Sequence, residues 1–184
     1  NLVTMNWWNG LWLNESFATL MSSIAVSEVT EFEDLWHDFY LSENLTAIFA
    51  DNAVSTHPIE MSVASTNDFF NVFDAITYDK GASVLNQLSH YIGREDFRLG
   101  VSNYLKEYSW ENTELDDFMS SLSEQSRVDL DPWAQDWMYQ EGVNTIEARF
   151  SCDANGISSF AILQTVPYDH PTLRDQRVQL GLFS

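Results

Sequence analysis

Two side chains are placed by the sequence where they could do chemistry. Glu15 lies in the run Trp7-Trp8-Asn9-Gly10-Leu11-Trp12-Leu13-Asn14-Glu15-Ser16-Phe17-Ala18, which has three tryptophans within six residues. A carboxylate in such apolar company needs a partner, because burying a charge unpaired is costly. On composition alone it reads as a capping or buried polar residue. Three, four and seven positions on stand Ala18, Thr19 and Ser22, small side chains that let another element approach closely around the carboxylate. Tyr78 sits in Phe73-Asp74-Ala75-Ile76-Thr77-Tyr78-Asp79-Lys80-Gly81 and offers one phenolic donor. On composition alone it reads as a core aromatic. Gly81, inside a predicted helix, costs roughly 1 kcal/mol relative to Ala, and open space beside the tyrosine is the expected return. The single Cys152 excludes an internal disulfide framework and a cysteine-based metal site. His37, His57, His90 and His170 show no metal-ligand spacing, and none is assigned to a metal.

The elements that must hold these residues are mostly helical. Leu13, Phe17, Leu20 and Ile24 share one face of a helix expected from Leu11 to about Val26, with Glu15 on another face. A second helix is expected from Glu31 to about Phe49. An irregular stretch follows through Thr56-His57-Pro58-Ile59 to about Ser65, where Pro58 blocks a regular ladder. Helical signals resume near Phe69. Ala82, Leu85, Leu88 and Ile92 make a stripe ending at Gly93, a C′ candidate. Residues 95–108 read as an amphipathic helix with Phe97, Val101, Tyr104 and Leu105 inward. Thr113 to Asp116 resembles a capping box opening a helix to about Gln125. Asp131-Pro132 reads as an N-cap with proline at N1, and Gly142 as the end of that last helix. The period then changes to two. Ile146 to Phe150 and Ile157 to Leu163 flank Asp153-Ala154-Asn155-Gly156, a hairpin signal, and Arg177 to Phe183 is a candidate third strand.

The expected fold is therefore mainly α: a helical unit over residues 1–143, followed over 144–184 by the start of a β-domain. The tryptophan-rich start and the absence of an initial methionine predict a chain cut from a longer protein. Composition supports a packed core, at 45% hydrophobic and 14% aromatic over 184 residues. With 28 acidic against 8 basic residues the formal charge is −20, and Lys80 is the first Lys or Arg. That argues against a nucleic-acid or anionic-membrane partner, which needs clustered Lys and Arg. A metal or a peptide ammonium group is compatible with the charge, although an acidic solvated surface accounts for most of it. No run approaches a membrane span, and a cytoplasmic location is the working expectation.

Several long motifs, in order, resemble the aminopeptidase N family of zinc metallopeptidases, the gluzincins. They are Asn1-Leu2-Val3-Thr4-Met5, the Trp-Trp-Asn-x-Leu-Trp-Leu-Asn-Glu-Ser-Phe-Ala run, Thr56-His57-Pro58-Ile59 and Phe73 through Leu85. The likeness continues through Trp110-Glu111-Asn112-Thr113, Trp133 and Gly142-Val143-Asn144-Thr145. The tail motifs Phe160 to Gln164 and His170 to Arg174 are similar to the bacterial branch. The resemblance implies the C-terminal helical half of a thermolysin-like catalytic domain and the first strands of a small β-domain. It also implies one Zn2+ per active site of the full-length protein, held by two histidines of an H-E-x-x-H helix and a glutamate on the next helix. Three such ligands leave a fourth position open, and the motif's glutamate serves as general base. Glu15 matches the third ligand and Tyr78 the tyrosine that stabilises the oxyanion. By the family's spacing, the second histidine falls a few residues before Asn1, so the other ligands and the base would lie upstream.

The implied activity is release of N-terminal amino acids from peptides, with this segment inactive by itself. Its partners would be a peptide substrate and the rest of its own polypeptide. Gly10 stands where the family usually has Asp, and Ser22 where some members carry a glutamate behind the ligands. Such outer carboxylates tune zinc, so metal affinity or rate is expected to differ. Two rivals are a non-catalytic family member acting as a scaffold or binding module, and an unrelated acidic helical interaction domain. Residues upstream of Asn1 would decide the first. Glu15 and Tyr78 on separate surfaces would favour the second.

Overall fold

In a computed structural model, residues 2–32, 34–154 and 156–182 are described. Two elements frame the site. Helix α1 spans Leu11–Val29, entered through a 3-10 turn at Trp8–Gly10. Helix α4 spans Gly81–Ile92 and grows directly out of a wide turn at Ile76–Lys80 that carries Tyr78. The stripe on α1 behaves as its spacing requires: Trp12, Leu13 and Leu20 are buried, and Phe17 and Ile24 pack against the same core. Ala82, Leu85, Leu88 and Ile92 on α4 meet them, and Gly93 at φ +100 ends α4 as expected.

Helix α5 (Arg94–Glu107) then doubles back and packs on α6 (Leu115–Ser126). Phe97, Val101 and Tyr104 of α5 close the core with Phe118, Met119 and Leu122 of α6, while Leu105 is only partly buried. Helix α7 (Asp131–Trp137) adds Trp133 and Ala134, and Met138 follows it into the core. A short parallel pair, β1 (Thr4–Met5) with β2 (Asn112–Thr113), ties the segment entering α1 to the one entering α6.

Several expected boundaries shift. The second helix begins at Leu35 and is interrupted: α2 (Leu35–Phe39) passes through a wide turn at Tyr40–Asn44 into α3 (Leu45–Asp51). Ser42 accounts for part of this, since its hydroxyl donates to the Asp38 carbonyl and competes with the helical ladder. The helical signal near Phe69 is a 3-10 stretch, Thr66–Val72. The capping box lies one residue later than expected. Glu114 is the N-cap, and its N–H donates to the Asp117 carboxylate at 2.9 Å, because Thr113 is engaged in β2 and bonds Tyr104 Oη. Asp131 is already helical, with Leu130 as N-cap and the Asp129 carboxylate accepting from the Asp131 N–H. Gly142 does not close α7, which ends at Trp137; it packs against His170 instead.

The hairpin is present as β3 (Thr145–Asp153) and β4 (Gly156–Thr165), antiparallel, with Phe150 opposite Phe160 and Ala148 opposite Ile162. Asn155, half of its turn signal, lies outside the described residues. No strand forms over 177–182. Arg177 is turned to the end of α4, where its guanidinium donates to the carbonyls of His90 and Tyr91, and no described strand offers this segment a ladder. Phe183 lies outside the described residues. The mainly α architecture with a small β region at the C-terminal end is as the sequence predicts.

Candidate functional site

The wide turn and α1 are fitted together at one point. Ser16, fully buried on α1, donates its hydroxyl to the Thr77 carbonyl at 2.6 Å. Gly81 faces the same serine, so closely that a Cβ on Gly81 would lie 1.8 Å from Ser16 Oγ and 2.8 Å from its Cβ. The space expected beside Tyr78 is therefore not open: Ser16 fills it. Only glycine permits this approach, which accounts for its place at the start of a helix despite its entropic cost.

The result is that Glu15 and Tyr78 meet. Both are half-buried, and the Glu15 carboxylate lies close enough to the Tyr78 hydroxyl to act on its titration. Burial, and then that carboxylate, push the Tyr78 pKa above its ordinary value, so the phenol keeps its proton at neutral pH. The two residues singled out in the sequence are brought to one place, which is not what separate surfaces of an interaction domain would show. Around Glu15, Ala18 and Ser22 are exposed and Thr19 half-buried, its hydroxyl turned back to the Glu15 carbonyl. The close approach to α1 is thus made at Ser16, and the small face beside Glu15 is open.

Further contacts, none assigned from the sequence, hold the turn. At its start, one Asp74 carboxylate oxygen accepts from the Ile76 and Thr77 N–H groups at 2.9 and 3.1 Å. The Asp74 carbonyl accepts from Tyr78 N–H at 3.1 Å. The other carboxylate oxygen meets His57 Nε2 at 2.9 Å. At the turn's end, Lys80 donates to Asp51 at 2.8 Å, with both side chains buried. Burial pulls the Lys80 pKa below its ordinary value although Asp51 opposes this. The same Asp51 oxygen accepts from Thr56 and from Gly142 N–H. Buried Arg174 donates to the Asp136, Gln140, Glu141 and Gly142 carbonyls and covers Trp137. Between these clamps, Asp79 is pushed up to about 6 by burial and by Glu43 and Asp74.

The entry to α1 is fixed by another buried carboxylate. Glu60 accepts from Trp12 Nε1 and Asn9 Nδ2, and its backbone N–H donates to the Met138 carbonyl. Burial raises the Glu60 pKa, with the two donors opposing. His57, Glu60 and Asp74 lie within or beside motifs visible in the sequence, but their partners are distant along the chain. A zinc ion needs three protein ligands, and no group of three or more His, Cys, Asp or Glu side chains among the described residues could hold one. Glu15 can contribute one carboxylate. Among the described residues no helix is long and apolar enough to cross a membrane.

Comparison with known proteins places this geometry in context. Residues 1–137 match the model of the peptidase family M1 domain. The chain is 40% identical to an aminopeptidase N of Streptomyces lividans over its whole length, which is 22% of that protein. It is 42% identical to a leucyl aminopeptidase of Saccharolobus solfataricus over 82% of the chain and 19% of the relative. It is likewise 42% identical to tricorn protease-interacting factor F2 of Thermoplasma volcanium, over 81% of the chain and 19% of that protein. The chain thus spans about a fifth of the length of the relatives it matches.

Proposed function

Since the chain belongs to the peptidase M1 family, we propose that it is part of a zinc-dependent aminopeptidase releasing N-terminal amino acids from peptides. Residues 1–143 are then the helical part of its peptidase domain, and residues 144–184 the start of the β-domain. Glu15 is one zinc ligand, completed by two histidines of an H-E-x-x-H helix outside these 184 residues, whose sequence has no such motif. Bound zinc supplies a water acidic enough to attack near neutral pH.

The observation that carries this reading is the junction at Ser16, which joins α1 to the Ile76–Lys80 turn and brings Glu15 and Tyr78 to one place, where the carboxylate acts on the phenol. A phenol has one proton to donate. With Glu15 engaged as a metal ligand, Tyr78 would keep that proton for a substrate oxyanion. Its hydroxyl would donate to the oxygen that gains charge as the peptide carbonyl is attacked. Its raised pKa keeps that donor protonated through the neutral range.

The test is hydrolysis of an amino-acid anilide by the longer protein of which this chain is a segment. Tyr78→Phe lowers kcat by about 10²–10³ with zinc retained, the scale of losing one oxyanion donor. Glu15→Gln loses zinc and activity together. The 184-residue chain by itself binds zinc weakly and hydrolyses nothing. Activity in that chain alone, or a Tyr78→Phe enzyme as fast as the parent, overturns the reading.

A further inference from the structure

His57 has acceptors on both sides of its ring. Nδ1 lies 2.7 Å from the Pro58 carbonyl oxygen, and Nε2 lies 2.9 Å from the Asp74 carboxylate. A backbone carbonyl can only accept, and so can an ionised carboxylate. Both ring nitrogens must therefore carry hydrogen, which makes His57 an imidazolium. Its ring is mostly buried, at 16% exposure, and Asp74 is at 39%.

Asp74 is at the centre of the arrangement. Its second oxygen and its carbonyl receive the N–H groups of Ile76, Thr77 and Tyr78, the donors at the start of the turn that carries the catalytic hydroxyl. A carboxylate that caps a turn can swing about its own side-chain bonds. One whose other oxygen is held by a cation cannot do so without breaking that bond. We propose that doubly protonated His57 is a positioning residue for Tyr78, acting through Asp74 to fix the Ile76–Lys80 turn. The inference rests on the reading of Tyr78 as the oxyanion donor.

The electrostatics agree. Hydrogen bonding to Asp74 raises the His57 pKa, burial opposes it, and the Pro58 carbonyl adds to the rise. Burial works to raise Asp74, but the bonds from His57, Thr77 and Ile76 outweigh it and leave its pKa below the ordinary value. The charged groups acting on the ring are Asp74, which favours the cation, and Lys80, which opposes it. The folded pKa of His57 is raised, so the clamp is complete below the ordinary histidine value. It is lost as pH rises through the folded one, when one nitrogen must turn a lone pair toward an acceptor.

Two substitutions in the longer protein test this by anilide hydrolysis, with zinc content and thermal unfolding as controls. His57→Gln keeps one donor group but no positive charge. It lowers kcat about tenfold or more, the scale of a displaced catalytic group, with KM little changed. In a Tyr78→Phe background the same substitution costs nothing further. Asp74→Asn changes the polarity of the pair. The asparagine amide now donates to Nε2, so neutral His57 completes the clamp. The contribution of this pair to kcat is then kept at alkaline pH and lost on acidification, the reverse of the parent.

An undiminished kcat in His57→Gln overturns the inference, as does an equal loss in the Tyr78→Phe background. If His57→Gln does not fold, an unreversed profile in Asp74→Asn overturns it. A Tyr78→Phe enzyme with unchanged kcat removes the underlying reading of Tyr78 instead, and the two failures are thereby distinguished.

Discussion

The two sides of α1 are built from similar chemistry and meet opposite fates. One side carries Trp12, Leu13, Phe17, Leu20 and Ile24 into the core. The other carries Ala18, Ser22 and Ala25 to the surface beside half-buried Glu15. Neither side holds a Lys or Arg, so the helix is divided by side-chain size more than by polarity. Large apolar groups take the face where burial returns the most free energy. Small ones keep the other face low, with the only carboxylate of the helix's first half standing above it. The difference teaches that a functional face can be marked by what is small on it.

That contrast can be broken most severely from the buried side. Leu20→Ala leaves a cavity at a fully buried position and is expected to cost about 2–5 kcal/mol in urea unfolding. Gly81→Ala tests the fitted edge between the two sides. Its methyl must displace Ser16, and a loss of about 1–3 kcal/mol is expected, as for other overpacked sites. If Gly81→Ala proves neutral, α1 and the Tyr78 turn are not tightly fitted together at Ser16.

Smaller effects sharpen the comparison. Asp79 has its pKa raised from 3.8 to about 6, so the folded state binds its proton more tightly than the unfolded one. Stability then declines as pH rises from about 4 to about 6, and stays lowered above that. Asp79→Asn should raise the melting temperature at pH 7 and leave it unchanged below pH 4. The smallest change is on the open face. Ser22→Ala should alter unfolding by no more than about 0.5 kcal/mol, since the Ser22 hydroxyl bonds only the Thr19 carbonyl of its own helix.

What the sequence made legible follows this division. Periodicity places the buried stripe of α1, the Ala82–Ile92 stripe and the alternation of the hairpin, because each depends on neighbours three, four or two residues away. Glu15 and Tyr78 were also legible, each within a recognisable run, although their meeting was not. The contacts that bring them together join residues far apart in the chain. Ser16 meets Gly81, His57 meets Asp74, and Asp51 gathers Lys80 and Gly142. Local pattern carries no record of such pairings. The one-residue shift at Glu114 has the same origin, since Thr113 is held by Tyr104 and by β1, whereas the shift at Leu130 comes from the local bond of the Asp131 N–H to Asp129.

Arg174 and Lys80 have a consequence for proteolysis. Trypsin must draw a basic side chain into its own specificity pocket, and these two are committed inside the protein, to backbone carbonyls and to Asp51. The next Lys or Arg after Lys80 is Arg94, and none precedes Lys80. In the folded chain the first 93 residues thus present no accessible tryptic bond. Cleavage after Lys80 becomes a clock for local opening, ticking only when the turn that carries Tyr78 comes away from Asp51.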